Sequence, residues 1–157
     1  MLKSVYYANI HSHIRYGILN WGLSTFASRV FLIQKYAVRI LAGLSPRESC
    51  RASFKSRKIL TLAGIYILEA CVYVYKNKNI FELYRSSHEY NTRHNSLLIP
   101  NRHRSTFYQK NLFYNACKFF NQLDNSIKDS PNVTIFKSRL KRFLIVENYY
   151  SIQDFLG

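Results

Sequence analysis

The chain has 157 residues, 48% of them hydrophobic, with 23 Lys and Arg against 8 Asp and Glu for a net charge of +15. That length and apolar content suit one domain with a genuine core and exclude a disordered chain, whereas so much self-repelling charge points to a polyanionic partner. Cys50, Cys71 and Cys117 are an odd set without Cys-x-x-Cys spacing, which argues against a disulfide framework or zinc finger and suits a reducing, intracellular (nuclear or cytoplasmic) compartment.

In chain order, Leu2, Tyr6, Ile10, Ile14 and Ile18 recur at steps of four, which predicts a helix over 2–21 with one buried stripe. On that helix His11 and His13 lie about 200° apart and cannot chelate one ion together. Both are expected at a surface or interface, with Trp21 plugging the junction to the next helix. The absence of acids before Glu48 gives the N-terminal part some flavour of a mitochondrial presequence, but its bulky aromatic first turns argue against one.

Ser24 and Thr25 are candidate caps for a second helix reaching Leu41, with Gly43 as its stop. Its expected core stripe is Phe26, Val30, Ile33, Ala37 and Ile40, which puts Lys35 and Arg39 on the opposite face. Next come Arg47, Arg51, Lys55, Arg57 and Lys58 within twelve residues. Pro46 marks a turn and Ser49 is a candidate cap, so Arg47, Arg51, Lys55 and Lys58 at 4, 4, 3 spacing would line one face of a short helix. With no acidic neighbours at i+4, such a stripe gains nothing from intrahelical pairing.

Thr61 is the expected cap of the central helix, Leu62–Lys76, which is apolar nearly all round and predicted to fill the middle of the core. The apolar run over 59–75 falls short of the roughly 20 residues a membrane span needs, and Glu69 interrupts it. No membrane partner is therefore expected. Residues 85–110 break helical periodicity and read as a long basic, aromatic loop. Arg93, Arg102 and Arg104 alternate there with Tyr90 and Tyr108, a mixture suited to phosphates and unpaired bases. Beyond it, 111–157 returns to helix. Leu112, Ala116, Phe119, Phe120 and Leu123 face the core, then Phe136, Leu140, Phe143 and Leu144, and Ser151 caps a final turn.

The positive charge is clustered. Residues 29–58 hold eight Lys or Arg against Glu48 alone, whereas acids nearly balance 119–157. Enzymatic chemistry finds little support. Asp occurs only at 124, 129 and 154, never beside another acid, so paired carboxylates for two metal ions are missing. The five glycines form no phosphate loop, and His88, His94 and His103 share a loop without a Cys or acid to complete a zinc set. No catalytic residue, metal site or cofactor is expected in this chain. The expected fold is all-α, a single basic helical domain of about five to seven helices. Its parts would be a helical portion over 1–84, the loop over 85–110 and a second helical portion over 111–157.

Six segments in order resemble one family. They are "HSHIRYGILNWG", "IQKYAVRILAG", "FKSRKILTLAGIYILEACVYVYKN", "HEYNTRH", "LFYNACKFFNQLDNSIKD" and "FKSRLKRFLIVENYYSIQDFL". They are similar to the region after the palm of insect-type non-LTR retrotransposon reverse transcriptases, over nearly the whole chain. The resemblance implies a helical thumb and C-terminal tail beside template and primer, with Lys35, Arg39 and the run to Lys58 toward RNA or DNA. The parent family would be an RNA-directed DNA polymerase, but its fingers, its palm and the catalytic aspartates are missing here. Ala63 also stands where many relatives have proline. Two rival expectations remain: a module docking on a reverse-transcriptase palm without binding nucleic acid itself, and a basic peripheral membrane or mitochondrial protein.

Overall fold

A computed structural model describes residues 2–83, 97–98 and 111–157 of the chain. The regular elements of the described residues are all helices, without a strand. α1 (Leu2–Tyr6) runs through a π turn (Tyr7–His11) into α2 (Ser12–Arg15), followed by α3 (Ile18–Trp21) and α4 (Ala27–Ala42). Then come α5 (Arg51–Ser56), α6 (Leu62–Lys76), α7 (Lys78–Leu83), α8 (Leu112–Gln122), α9 (Asn125–Lys128), α10 (Val133–Glu147) and α11 (Ile152–Leu156). The chain thus divides its helices more finely than its apolar periodicity indicates.

The first division has a local cause. Gly17 sits at φ +60, a left-handed conformation that ends a helix at little cost only for glycine. The expected single helix over 2–21 is therefore broken before Ile18. Trp21 seals the corner, its indole nitrogen donating to the Tyr16 carbonyl at 2.9 Å.

α6 is the axis of the molecule. Ile65, Tyr66, Ile67, Ala70, Cys71 and Val74 are almost completely buried, because the helix is wrapped by α8 and α10 on its long sides and by α3 and α4 elsewhere. Thr61 caps it, accepting a hydrogen bond from the Gly64 N–H at 3.1 Å. Ala116, Phe119 and Phe120 of α8 and Phe136, Leu140 and Leu144 of α10 complete the main core. A second cluster of Tyr6, Val38, Cys50, Phe54 and Ile59 joins α1, α4 and α5. All three cysteines are buried and unpaired.

α4 faces the core differently from its expected orientation. Gln34 and Val38 are its buried residues, while Phe26, Ile33 and Ile40 of the expected stripe are 62%, 58% and 72% exposed. Leu32 and Tyr36 are exposed beside them. The reason is polar. Gln34 Nε2 donates both to Tyr6 Oη and to the Leu60 carbonyl, each at 2.9 Å. These two bonds hold Gln34 inward against the larger apolar count of the other face, although its Oε1 is buried without a partner.

The expected caps also divide. Gly43 stops α4 at φ +67, and Ser151 forms a capping box with Asp154. Ser24 and Thr25 do not cap α4; its N-cap is Phe26, which has no side-chain cap bond. Cys50, not Ser49, occupies the N-cap of α5. No helix among the described residues is long and apolar enough to cross a membrane.

Candidate nucleic-acid interface

The segment from Arg47 to Lys58 forms a ledge of cations, but not the four-residue helical stripe expected. α5 spans only six residues. Arg47 lies in the turn before it, and Lys58 lies after it at φ +55, so only Arg51 and Lys55 share a face of a regular helix. The short run cannot extend because Phe54 and Ile59 must both turn into the second cluster, and the left-handed residue between them makes that turn.

The cations on this ledge differ in freedom. Arg51 is anchored, its guanidinium 4.8 Å over the Tyr150 ring and its carbonyl accepting from Asn148 Nδ2 at 2.8 Å. Arg39 is a strut: its Nε donates to the Glu48 carbonyl at 2.8 Å, and its guanidinium lies 5.6 Å over Tyr36. Lys35 is half-buried with its Nζ 4.8 Å over Phe31. That ring packs edge-on against Tyr150, so Lys35 lies close to the ledge and not on the far side of α4. Arg57 is half-buried at the end of α5, and Arg47, Lys55 and Lys58 are exposed. Glu48 has its carboxylate turned to the Ser45 N–H, and Asp154 acts on Arg51 electrostatically without an ion pair.

Among the described residues the ion pairs are confined to Glu69, with Arg15 and Lys137. The ledge therefore carries positive charge that no carboxylate neutralises by direct contact. Anions approaching it displace only water and counterions, the arrangement that favours phosphate.

Tyr90, Arg93, Arg102, Arg104 and Tyr108 of the expected loop lie outside the described residues. What is described of that stretch is its anchor. Leu98 and the Asn121 side chain exchange two hydrogen bonds, at 3.0 and 2.8 Å, which tie it to α8.

A second basic cluster escaped the sequence reading. Arg15 Nε donates to Glu69 Oε1 at 2.7 Å, and Lys137 Nζ stands 3.5 Å from the same oxygen. His11 closes the π turn and feels Lys141, Arg15 and Lys137 electrostatically. Burial first, and then these cations, hold its pKa below the usual value, while Glu69 opposes them. Acids along 119–157 nearly balance its basic residues in number, yet Lys137 pairs with Glu69 and Lys141 acts electrostatically on His11. The available signal was a pair of i, i+4 repeats, His11–Arg15 and Lys137–Lys141, together with one acid isolated in an apolar helix.

The three aspartates are dispersed. Asp154 accepts from the Tyr150 and Ser151 N–H groups, and Asp124 and Asp129 flank the single turn of α9. Among the described residues no three His, Cys, Asp or Glu side chains converge as a metal set. No family model, curated protein or solved structure matches this chain.

Proposed function

We propose that this chain is a non-catalytic nucleic-acid-binding module, the helical thumb and tail of a non-LTR retrotransposon reverse transcriptase, gripping template–primer RNA or DNA by its phosphates. The observation that carries the reading is the ledge of Arg47, Arg51, Lys55, Arg57 and Lys58, whose charge meets no carboxylate in direct contact. Phosphate contacts position a strand without reading its sequence, which is the task of a thumb. The order of the six segments quoted above supports the family, and the scattered aspartates support a role without catalysis.

Salt-dependent binding tests it. Affinity for a primed duplex should fall on the order of a thousandfold between 50 and 200 mM salt if about six phosphates are neutralised. Arg47→Glu with Lys55→Glu should weaken binding and flatten that slope for every sequence alike. Lys3→Glu with Lys76→Glu makes the same charge change at exposed residues outside the ledge and should cost less. Equal losses from both pairs would leave net charge as the sole cause and remove the ledge as a site.

The exposed Phe26, Leu32, Ile33, Tyr36 and Ile40 of α4 favour a second reading, docking on the polymerase palm. An apolar face of that size on a charged helix is what an interface core supplies. Adding a purified palm domain should bury it. Unchanged protection of α4 in hydrogen exchange would count against docking.

A further inference from the structure

We propose that His11, Arg15, Lys137 and Lys141 form a second, separate site, one that binds a phosphate monoester as its dianion. Four elements build it. The π turn and α2 bring His11 and Arg15, α10 brings Lys137 and Lys141, and α6 places Glu69 among them.

The site is organised by its own carboxylate. Glu69 is only 18% exposed and shares one oxygen between Arg15 and Lys137, whose side chains are 50% and 35% exposed. Without it, two cations would be held close together over an apolar helix with nothing to offset their repulsion. With it, three permanent cations gather around one anion, a net excess of two positive charges. A phosphate monoester carries about −1.5 to −2 charges at neutral pH, so it matches that excess. A backbone diester supplies only one.

His11 gives the site its character. A π turn inserts a residue and re-aims the chain that follows, and such turns are frequent at functional sites. Here the Ser12 N–H reaches back five residues to the Tyr7 carbonyl, so the wide turn ends on His11. The ring lies 5.0 Å from that of Tyr7 and 6.3 Å from that of Tyr6. Its Nδ1 is buried without a hydrogen-bond partner. The charged groups acting on it are Lys141, Arg15, Lys137 and Glu69. In the free protein burial first, and then the surrounding cations, disfavour the charged form of the ring. A bound dianion reverses that balance, and the ring then takes up a proton. Proton uptake by the ring thus offsets the ligand's own loss of dianion below its second ionisation at about pH 6, so binding persists to lower pH than that ionisation alone would allow. This site does not depend on the ledge or on the polymerase reading, and inorganic phosphate alone tests it.

The experiment follows histidine side-chain resonances of the full chain by NMR through a pH titration. It is run without ligand, with inorganic phosphate, and with an oligonucleotide carrying or lacking a 5′-phosphate. The His11 pKa should rise by about one unit with phosphate, a tenfold gain in proton affinity, while exposed His13 stays still. Lys137→Ala with Lys141→Ala should raise the His11 pKa in the free protein and abolish the response to phosphate. His11→Gln should keep binding at neutral pH but lose it more steeply than the parent as the pH falls through the phosphate's second ionisation. A response confined to the 5′-phosphorylated strand assigns the site to strand ends. A response to inorganic phosphate, with equal effects of the two strands, assigns it to the free ion. If no ligand moves His11, or if it moves equally in the double variant, the site does not exist.

Discussion

Gln34 donates to the Leu60 carbonyl at 2.9 Å from a position with no solvent exposure. This bond, with its companion to Tyr6 Oη, fixes which face of α4 turns inward. Replacing Gln34 by Ala leaves a buried carbonyl and hydroxyl without their donor and opens a cavity, costing about 2–4 kcal/mol. Ile33→Gln, on the exposed face, should stay within about 0.5 kcal/mol. Urea denaturation of both variants checks the orientation; the reverse ranking would mean that the apolar stripe is the core face after all.

Gly22 is set by close approach. A Cβ there would run into the Tyr66 ring and come within 2.7 Å of the Ile18 carbonyl. Tyr66 is completely buried at the centre of α6 and has little room to move. Gly22→Ala should therefore destabilise by about 1–3 kcal/mol. Gly43 has open space around its Cα, and there the penalty of a side chain comes from backbone conformation alone. Thermal melts should rank Gly22→Ala as the costlier change when the two are compared in one buffer.

The Ser151–Asp154 capping box makes stability depend on pH. Interaction with the Ser151 side chain, whose Oγ accepts from the Asp154 N–H, and hydrogen bonds from the Ser151 and Tyr150 N–H groups hold the Asp154 carboxyl below its usual 3.8. A folded pKa below the unfolded one gives stability that is present above about pH 4 and lost as pH falls through the folded value. Asp154→Asn should melt below the parent at pH 7 and converge with it in strong acid. Ser151→Ala should cost about 0.5–2 kcal/mol at neutral pH. A constant gap between Asp154→Asn and parent at every pH would show that the carboxylate is not the stabilising form.

Burial pushes the Cys71 thiol far up and that of Cys117 up to about 11. Thiolate is the reacting form, so neither should be modified by a thiol reagent at pH 8 in the native state. Both should react in denaturant. Rapid native labelling of Cys71 would mean that α6 opens readily, contrary to its place at the axis of the core.

Period alone sufficed for the all-helical architecture, the central position of Leu62–Lys76 and the core faces of α8 and α10. Those helices carry one dominant apolar face or are apolar all round, so burial has a single solution. The capping residues Thr61 and Ser151 and the stop at Gly43 were legible for a related reason, since each acts within a few residues of its own position. Where two faces of a helix competed, as in α4, the decision fell to Tyr6 and Leu60, 28 and 26 residues away from Gln34. No local pattern encodes that partnership. The ledge was legible as charge but not as shape, because its helix is cut short by the need of Phe54 and Ile59 to reach the second cluster. The cluster around Glu69 came from tertiary structure alone. His11, Arg15, Glu69 and Lys137 span well over a hundred residues of chain, and only the packing of α2 and α10 against α6 brings their charges together.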